Sequence, residues 1–271
     1  MDPFITTHFG NRTGISTASN VQVPLIILDT EPPDTLFSLN GDLLFILSRF
    51  DFQYAVHPRV ALRVAGGGAS RIGTSSESIF SQGVTAAMNV SAGTTIKLLE
   101  SERVLLSFSA DVVGGNSLYI NLAKYVADII DDGVTTSRLL QKDNLVVVDA
   151  GLRVGWAPGE WYGLTTAGRI GHADHAAGNE GLVWGVGMTM SADFGQRGNA
   201  PIGLSASVSV DQIEPRTLVA EESLLAGLGV YYTGRDDLNL GVEVEWVRLP
   251  LIDPDITVNP VTTSLVFRYF F

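Results

Sequence analysis

From about residue 42 to the C-terminus, apolar and polar side chains alternate with a period of two. Leu44, Ile46, Phe50, Phe52 and Tyr54 share one face of a run whose other face carries Arg49, Asp51 and Gln53. Val60, Leu62 and Val64 alternate with Arg59 and Arg63; Val104, Leu106, Phe108, Ala110 and Val112 oppose Ser107, Ser109 and Asp111. Later runs repeat the scheme. Trp184, Val186, Met188 and Met190 oppose Gly185, Gly187, Thr189 and Ser191, and Leu240, Val242, Val244 and Trp246 oppose Glu243 and Glu245. Eleven such segments can be traced, each roughly 10 to 14 residues long. A globular strand averages about five or six residues, whereas a tilted strand needs about 9 to 11 to cross a hydrocarbon layer. The length of the runs points to the second case.

Composition agrees. Charged residues are 17% of the 271 and apolar residues 45%, against about 25% charged in an average soluble domain. Part of the surface is therefore expected to face something other than water. No run approaches the roughly 18 to 20 apolar residues of a membrane helix. A bilayer could only be crossed by a closed barrel, because an open sheet edge leaves backbone groups unsatisfied in lipid. A net charge of −12 argues against general nucleic-acid binding. With no cysteine, disulfides, thiolate metal sites and a cysteine nucleophile are excluded.

Short and long connections alternate along the chain, as between tight inner turns and longer outer loops of a membrane barrel. Short turns are expected at His57-Pro58, Glu100 to Glu102, Pro158-Gly159-Glu160, Gln196 to Ala200 and Gly234 to Asp237. Longer loops are expected near 72–82, 115–143, 172–181, 212–222 and 249–259. If the last strand ends inside, at Phe271, the run at 42–56 also points inward and a twelfth strand must precede it. Asn20 to Asp29 is the candidate, followed by a Glu31-Pro32-Pro33 loop, although Pro24 weakens it as a strand. The expected organisation is thus an N-terminal segment, 1–40, serving as plug, periplasmic piece or first strand, and a barrel over 41–271. One stretch departs from the period of two. Leu118, Leu122, Val126 and Ile129 fall at helical spacing between Ser117 and Gly133, which predicts a short helix over about 117–131 in the longest outer loop.

The C-terminal Ser264-Leu265-Val266-Phe267-Arg268-Tyr269-Phe270-Phe271 resembles the terminal strand of bacterial outer-membrane β-barrel proteins, porins among them. In that family a final Phe preceded by alternate apolar or aromatic residues is the signal read by the barrel-assembly machinery. Leu265, Phe267, Tyr269 and Phe271 occupy those positions. The resemblance implies an all-β, single closed antiparallel transmembrane barrel of about twelve strands in the outer membrane. It also implies a signal peptide, which the start Met1-Asp2-Pro3-Phe4-Ile5 does not provide; a removed leader is the expectation. Lipid and the assembly machinery are the expected partners, with small solutes.

The expected membrane-facing girdle is Tyr54, Trp156, Tyr162, Phe194 and Tyr232 near the inner edge, with Trp184 and Trp246 near the outer. The expected lumen lining is Arg49, Asp51, Arg63, Asp111, Asp149, Arg153, Arg169, Asp193, Asp211, Glu243, Glu245 and Arg268. Opposite charges recur on adjacent strands: Arg63 beside Arg49 and Asp51, Arg169 beside Asp149 and Arg153, Arg268 beside Glu243 and Glu245. They could line a conduit that selects solutes or simply hold the wall by cross-strand pairs. His172 and His175 have spacing that metal sites use, but without further ligands a solvated loop explains them. Gly66-Gly67-Gly68 is followed by no Lys-Ser/Thr helix, so it reads as a bend in a curved sheet and not as a phosphate loop. No catalytic residue, metal or cofactor is expected. The leading functional expectation is a passive channel for small solutes; the alternatives are a closed structural or partner-binding barrel, a membrane enzyme, and a soluble ligand-binding barrel.

Overall fold

The computed structural model describes residues 5–27, 34–72, 83–120, 140–175, 180–195, 200–212, 222–250 and 257–271. Twelve long strands form one antiparallel sheet: β1 (His8–Ile27), β2 (Asp34–His57), β3 (Val60–Ile72), β4 (Gly83–Glu100), β5 (Val104–Ile120), β6 (Leu140–Trp156), β7 (Tyr162–His175), β8 (Glu180–Asp193), β9 (Ile202–Gln212), β10 (Ser223–Arg235), β11 (Leu238–Pro250) and β13 (Val261–Phe270). A two-residue β12 (Thr257–Val258) pairs only with the end of β11. Each long strand pairs with its neighbours in sequence, and β1 closes the ring on β13. Following the register once around the sheet returns to a point displaced by about 14 residues, which for twelve strands sets a tilt of about 40° and a backbone radius of about 12 Å.

The strand expected before residue 42 is present, but it starts earlier than Asn20 to Asp29. Thr6 and Thr7 already bond to β2, through Gln53 Nε2 to Thr6 O at 2.9 Å and Ala55 N to Thr7 Oγ1 at 3.1 Å. The sheet therefore takes in His8–Ile27 and the first residues of Asp34–His57 from the 1–40 segment that the sequence set apart. The period of two is there in His8 to Ala18, but small and hydroxylic residues stand where Leu or Val stand elsewhere. The proline-rich 31–33 loop lies outside the described residues. The helix expected over 117–131 is corrected at its start: Ser117 to Ile120 continue β5, paired with Leu140 to Asp143 of β6. Cross-strand pairing overrides the helical spacing there; 121–131 lie outside the described residues.

The expected turns at His57-Pro58, Glu100 to Glu102, Pro158-Gly159-Glu160 and Gly234 to Asp237 fall at one end of the barrel, where residues near both ends of the chain also meet: Phe271 N donates to Thr7 O at 2.9 Å. Of the turn expected at Gln196 to Ala200, residues 196–199 lie outside the described residues. At the β10–β11 turn Arg235 grips Asp237 with two hydrogen bonds of 2.8 and 2.6 Å. That contact holds the Asp237 carboxyl below its usual range.

The packing is inside out relative to a protein in water. Outward positions are apolar and exposed, among them Met88 at 64%, Leu228 at 67% and Leu265 at 68%. Among the described residues the buried apolar ones are few and mostly small: Ala18, Ala61, Ala65, Val147, Ala173 and Val183. Of the described residues, Thr95 and Ser107 are the largest fully buried side chains, and His8, Gln53, Asp111 and Asp149 are buried polar groups. An exposed apolar band running around all twelve strands far exceeds the few hundred Å² that a soluble monomer tolerates. Hydrocarbon is the solvent that fits the outside; the polar side is the lumen.

Candidate functional site: a charged ring in the lumen

Period-two alternation puts Arg12, Arg49, Asp51, Arg63, Asp111, Asp149, Arg153, Arg169, Asp193, Asp211, Glu243, Glu245 and Arg268 on the inner face of their strands. With the tilt given by the register, most of them occupy a band about 10 Å deep, between the Tyr54–Tyr232–Tyr269 level and the Trp184–Trp246 level. Arg153, Asp193 and Arg268 lie closer to the turn end. There Asp193 Oδ1 accepts from Thr233 Oγ1 at 2.7 Å and Gly195 N at 2.9 Å.

The pairing inside this ring differs from the adjacent-strand scheme. Arg63 Nη2 bonds Asp111 Oδ2 at 2.6 Å, two strands away. Arg169 lies 3.3 Å from Asp149 on the adjacent strand, as the sequence suggests, and also 2.9 Å from Asp211 two strands away in the other direction. Glu243 and Glu245 are taken by Arg12, the latter at 2.7 Å, across the whole width of β13. Tyr231 donates its hydroxyl to Glu243, and Ser205 Oγ donates to the Tyr231 hydroxyl at 3.2 Å. His8 Nε2 is 2.9 Å from Asp51 Oδ2. Arg12, His8 and Tyr231 are the participants that sequence reading missed. The inward place of Arg12 and His8 depends on β1 starting at His8, and Tyr231 is hidden between the outward Val230 and Tyr232 of an apolar run.

The reach of two strands has a simple cause. Gly93 is the register partner of both Arg63 and Asp111, and Gly185 is the partner of both Arg169 and Asp211. A side chain at either position would stand in the path of the ion pair. A Cβ at Gly93 would collide with the Asp111 carboxylate and come within 2.5 Å of the Ala110 carbonyl oxygen, which cannot swing away. Gly93→Ala is therefore expected to cost about 1–3 kcal/mol, read as a lower denaturation midpoint in detergent; an unchanged midpoint would show that the wall gives freely at this point.

Above the charges, β5 to β8 present a small apolar cluster to the inside: Val147, Ala173 and Val183, with Val113 and Leu145 against it. On the outside, Tyr54, Trp156, Tyr162, Tyr232 and Trp246 are exposed, while Trp184 and Phe194 are half-buried. Trp161 stacks near both Tyr162 and Phe194, with centroids 4.8 and 6.1 Å apart. Leu265, Phe267 and Tyr269 point outward on β13 beside the exposed Phe271.

Among the described residues no group of three or more metal-ligating side chains is present. His172 points outward, 3.8 Å from Glu180, and His175 ends β7. His57 Nδ1 accepts the Arg59 backbone N–H at 3.2 Å and so belongs to its turn.

No protein-family model matches the sequence, and no curated protein matches it significantly. Solved structures do match in fold. The translocator domain of the autotransporter NalP from Neisseria meningitidis aligns with 100% of this chain and 90% of its own, at 11% identity and a TM-score of 0.55. The β domain of the Bordetella autotransporter BrkA aligns with 98% of this chain and 100% of its own, at 10% identity and 0.55. The NanC porin aligns with 97% and 99%, at 6% identity and 0.53. The chain has the fold of the bacterial outer-membrane β-barrel, closed with twelve strands.

Proposed function

We propose that this chain is a passive outer-membrane channel for small solutes. The fold likeness spans a porin and two autotransporter domains, so it does not choose between them; the lumen has to. The observation that carries the reading is the exposure of charged side chains that point toward the barrel axis in mid-membrane. The Arg169 and Arg12 side chains are 38% and 33% exposed although each is ion-paired. Water-sized space therefore reaches the charged level, as a selective aqueous path requires.

A closed structural barrel is the second reading, favoured by ion pairs that span two strands and by the buried Val147–Ala173–Val183 cluster on the inner wall. Incorporation into planar bilayers separates the two. A channel gives stepwise currents that rise with KCl concentration; the absence of any step above the lipid baseline favours the closed barrel. Recognition of Leu265, Phe267, Tyr269 and Phe271 by an assembly machinery belongs to the same proposal. It is tested by deleting Phe271 and following the yield of folded barrel in outer membranes, which is expected to fall; an unchanged yield would remove that role.

A further inference from the structure

Three arginines share one stretch of lumen wall. Arg12 on β1 is the register partner of Arg49 on β2, and Arg63 follows on β3. Two of them are committed, Arg12 to Glu243 and Glu245, Arg63 to Asp111. Arg49 is different. Among the described residues it makes no ion pair or side-chain hydrogen bond, and it is exposed to the lumen. The acids nearest in its electrostatic surroundings, Asp51 and Glu245, are already engaged by His8 and Arg12.

The wall beside Arg49 is open. Its register partner on β3 is Gly67, which in turn pairs with Asn89 of β4. A Cβ at Gly67 would lie 3.1 Å from the Ser48 carbonyl oxygen and 3.4 Å from both Arg49 Cβ and Asn89 Oδ1, so the glycine leaves a narrow recess between the Arg49 and Asn89 side chains. Both Arg49 and Asn89 are exposed. The five N–H of the guanidinium suit an oxyanion, and this planar group can take a carboxylate with two parallel hydrogen bonds; the Asn89 amide, whose Oδ1 faces Gly67, adds its N–H donors once the amide turns over. A cation flanked by two others, whose neighbouring acids Asp51 and Glu245 are engaged by His8 and Arg12, gains from a bound anion.

We propose that the Arg49–Gly67–Asn89 recess is a binding station for the carboxylate of a small acidic solute in the lumen. As a step in permeation the proposal rests on the channel reading, whereas binding itself does not. Succinate is a suitable probe. In bilayers, millimolar succinate is expected to reduce the KCl current of the unmodified protein, and Arg49→Gln to weaken that block by about tenfold. Arg49→Lys keeps the charge but loses the two-pronged geometry; it is expected to weaken the block, though less than Arg49→Gln does. Calorimetric titration of detergent-folded protein with succinate gives a readout independent of conduction. Binding that Arg49→Gln abolishes, in a protein that carries no current, would sustain the station and remove the channel. Equal succinate binding by unmodified protein and Arg49→Gln, or no binding by either, would overturn the station even if the pore conducts.

Discussion

Replacing Leu228 with Arg is expected to lower the stability of the folded barrel by about 2–4 kcal/mol, the range for an arginine on the lipid face near the bilayer midplane. Leu228 is 67% exposed and lies in the middle of β10, paired with Val244 and Ala206. A guanidinium there has hydrocarbon around it and no acid within reach on the outer face of β9 or β11. Val186→Arg on β8 should behave similarly, since Val186 is 52% exposed between Gly168 and Val210. Ser207→Arg is the contrast. Ser207 faces inward, two strands from Glu245 with Gly227 between them, so the new cation meets water and a carboxylate. Denaturant titration in lipid vesicles measures all three, and equal losses at Leu228, Val186 and Ser207 would contradict the assignment of faces.

The second large effect concerns the ring. Arg169→Met removes the cation that bridges Asp149 and Asp211, leaving two carboxylates without it. Asp149 also faces Asp111 as its direct cross-strand partner. Breaking a fully buried pair costs about 3–5 kcal/mol. Because the Arg169 side chain is 38% exposed, water screens part of this and about 2 kcal/mol is expected. The double variant Arg169→Met with Asp211→Asn should recover part of the loss, since one stranded charge is removed with its partner. Denaturation midpoints read this directly. If the single and double variants lose the same amount, Arg169 supports the wall by its bulk and its charge is irrelevant.

Most of the architecture was legible because a strand in lipid has to be long and has to alternate, and Leu238 to Trp246 or Ile202 to Val210 do both without interruption. The same logic failed at the N-terminus. On β1, Asn11, Thr13 and Thr17 take outward positions, so the contrast between faces is weak just where the chain begins. Thr13 Oγ1 lies 3.2 Å from Asn11 Oδ1 and 3.4 Å from Ser48 Oγ, so these polar groups are partly satisfied by one another. Placing the start of β1 at Asn20 instead of His8 left out Arg12, and with it the partner of Glu243 and Glu245. Inward orientation of the ring residues follows from parity alone, but their partners do not. Which arginine meets which acid depends on register and on where a glycine clears the intervening strand, as at Gly93 and Gly185. Those are properties of the closed sheet. The helical spacing misled at its start for the same reason: Ser117 to Ile120 are captured by pairing with β6.

The chain contains no cysteine, so single cysteines can be introduced and spin-labelled without background. A scan from Ala226 to Tyr232 in lipid vesicles, comparing collision with oxygen against collision with a water-soluble nickel complex, reads the solvent on each face. Alternation is the expected outcome: oxygen dominates at Ala226, Leu228, Val230 and Tyr232, and the nickel complex gains at Gly227, Gly229 and Tyr231. A flat profile, or oxygen-poor readings at Leu228 and Val230, would show that hydrocarbon does not surround this barrel.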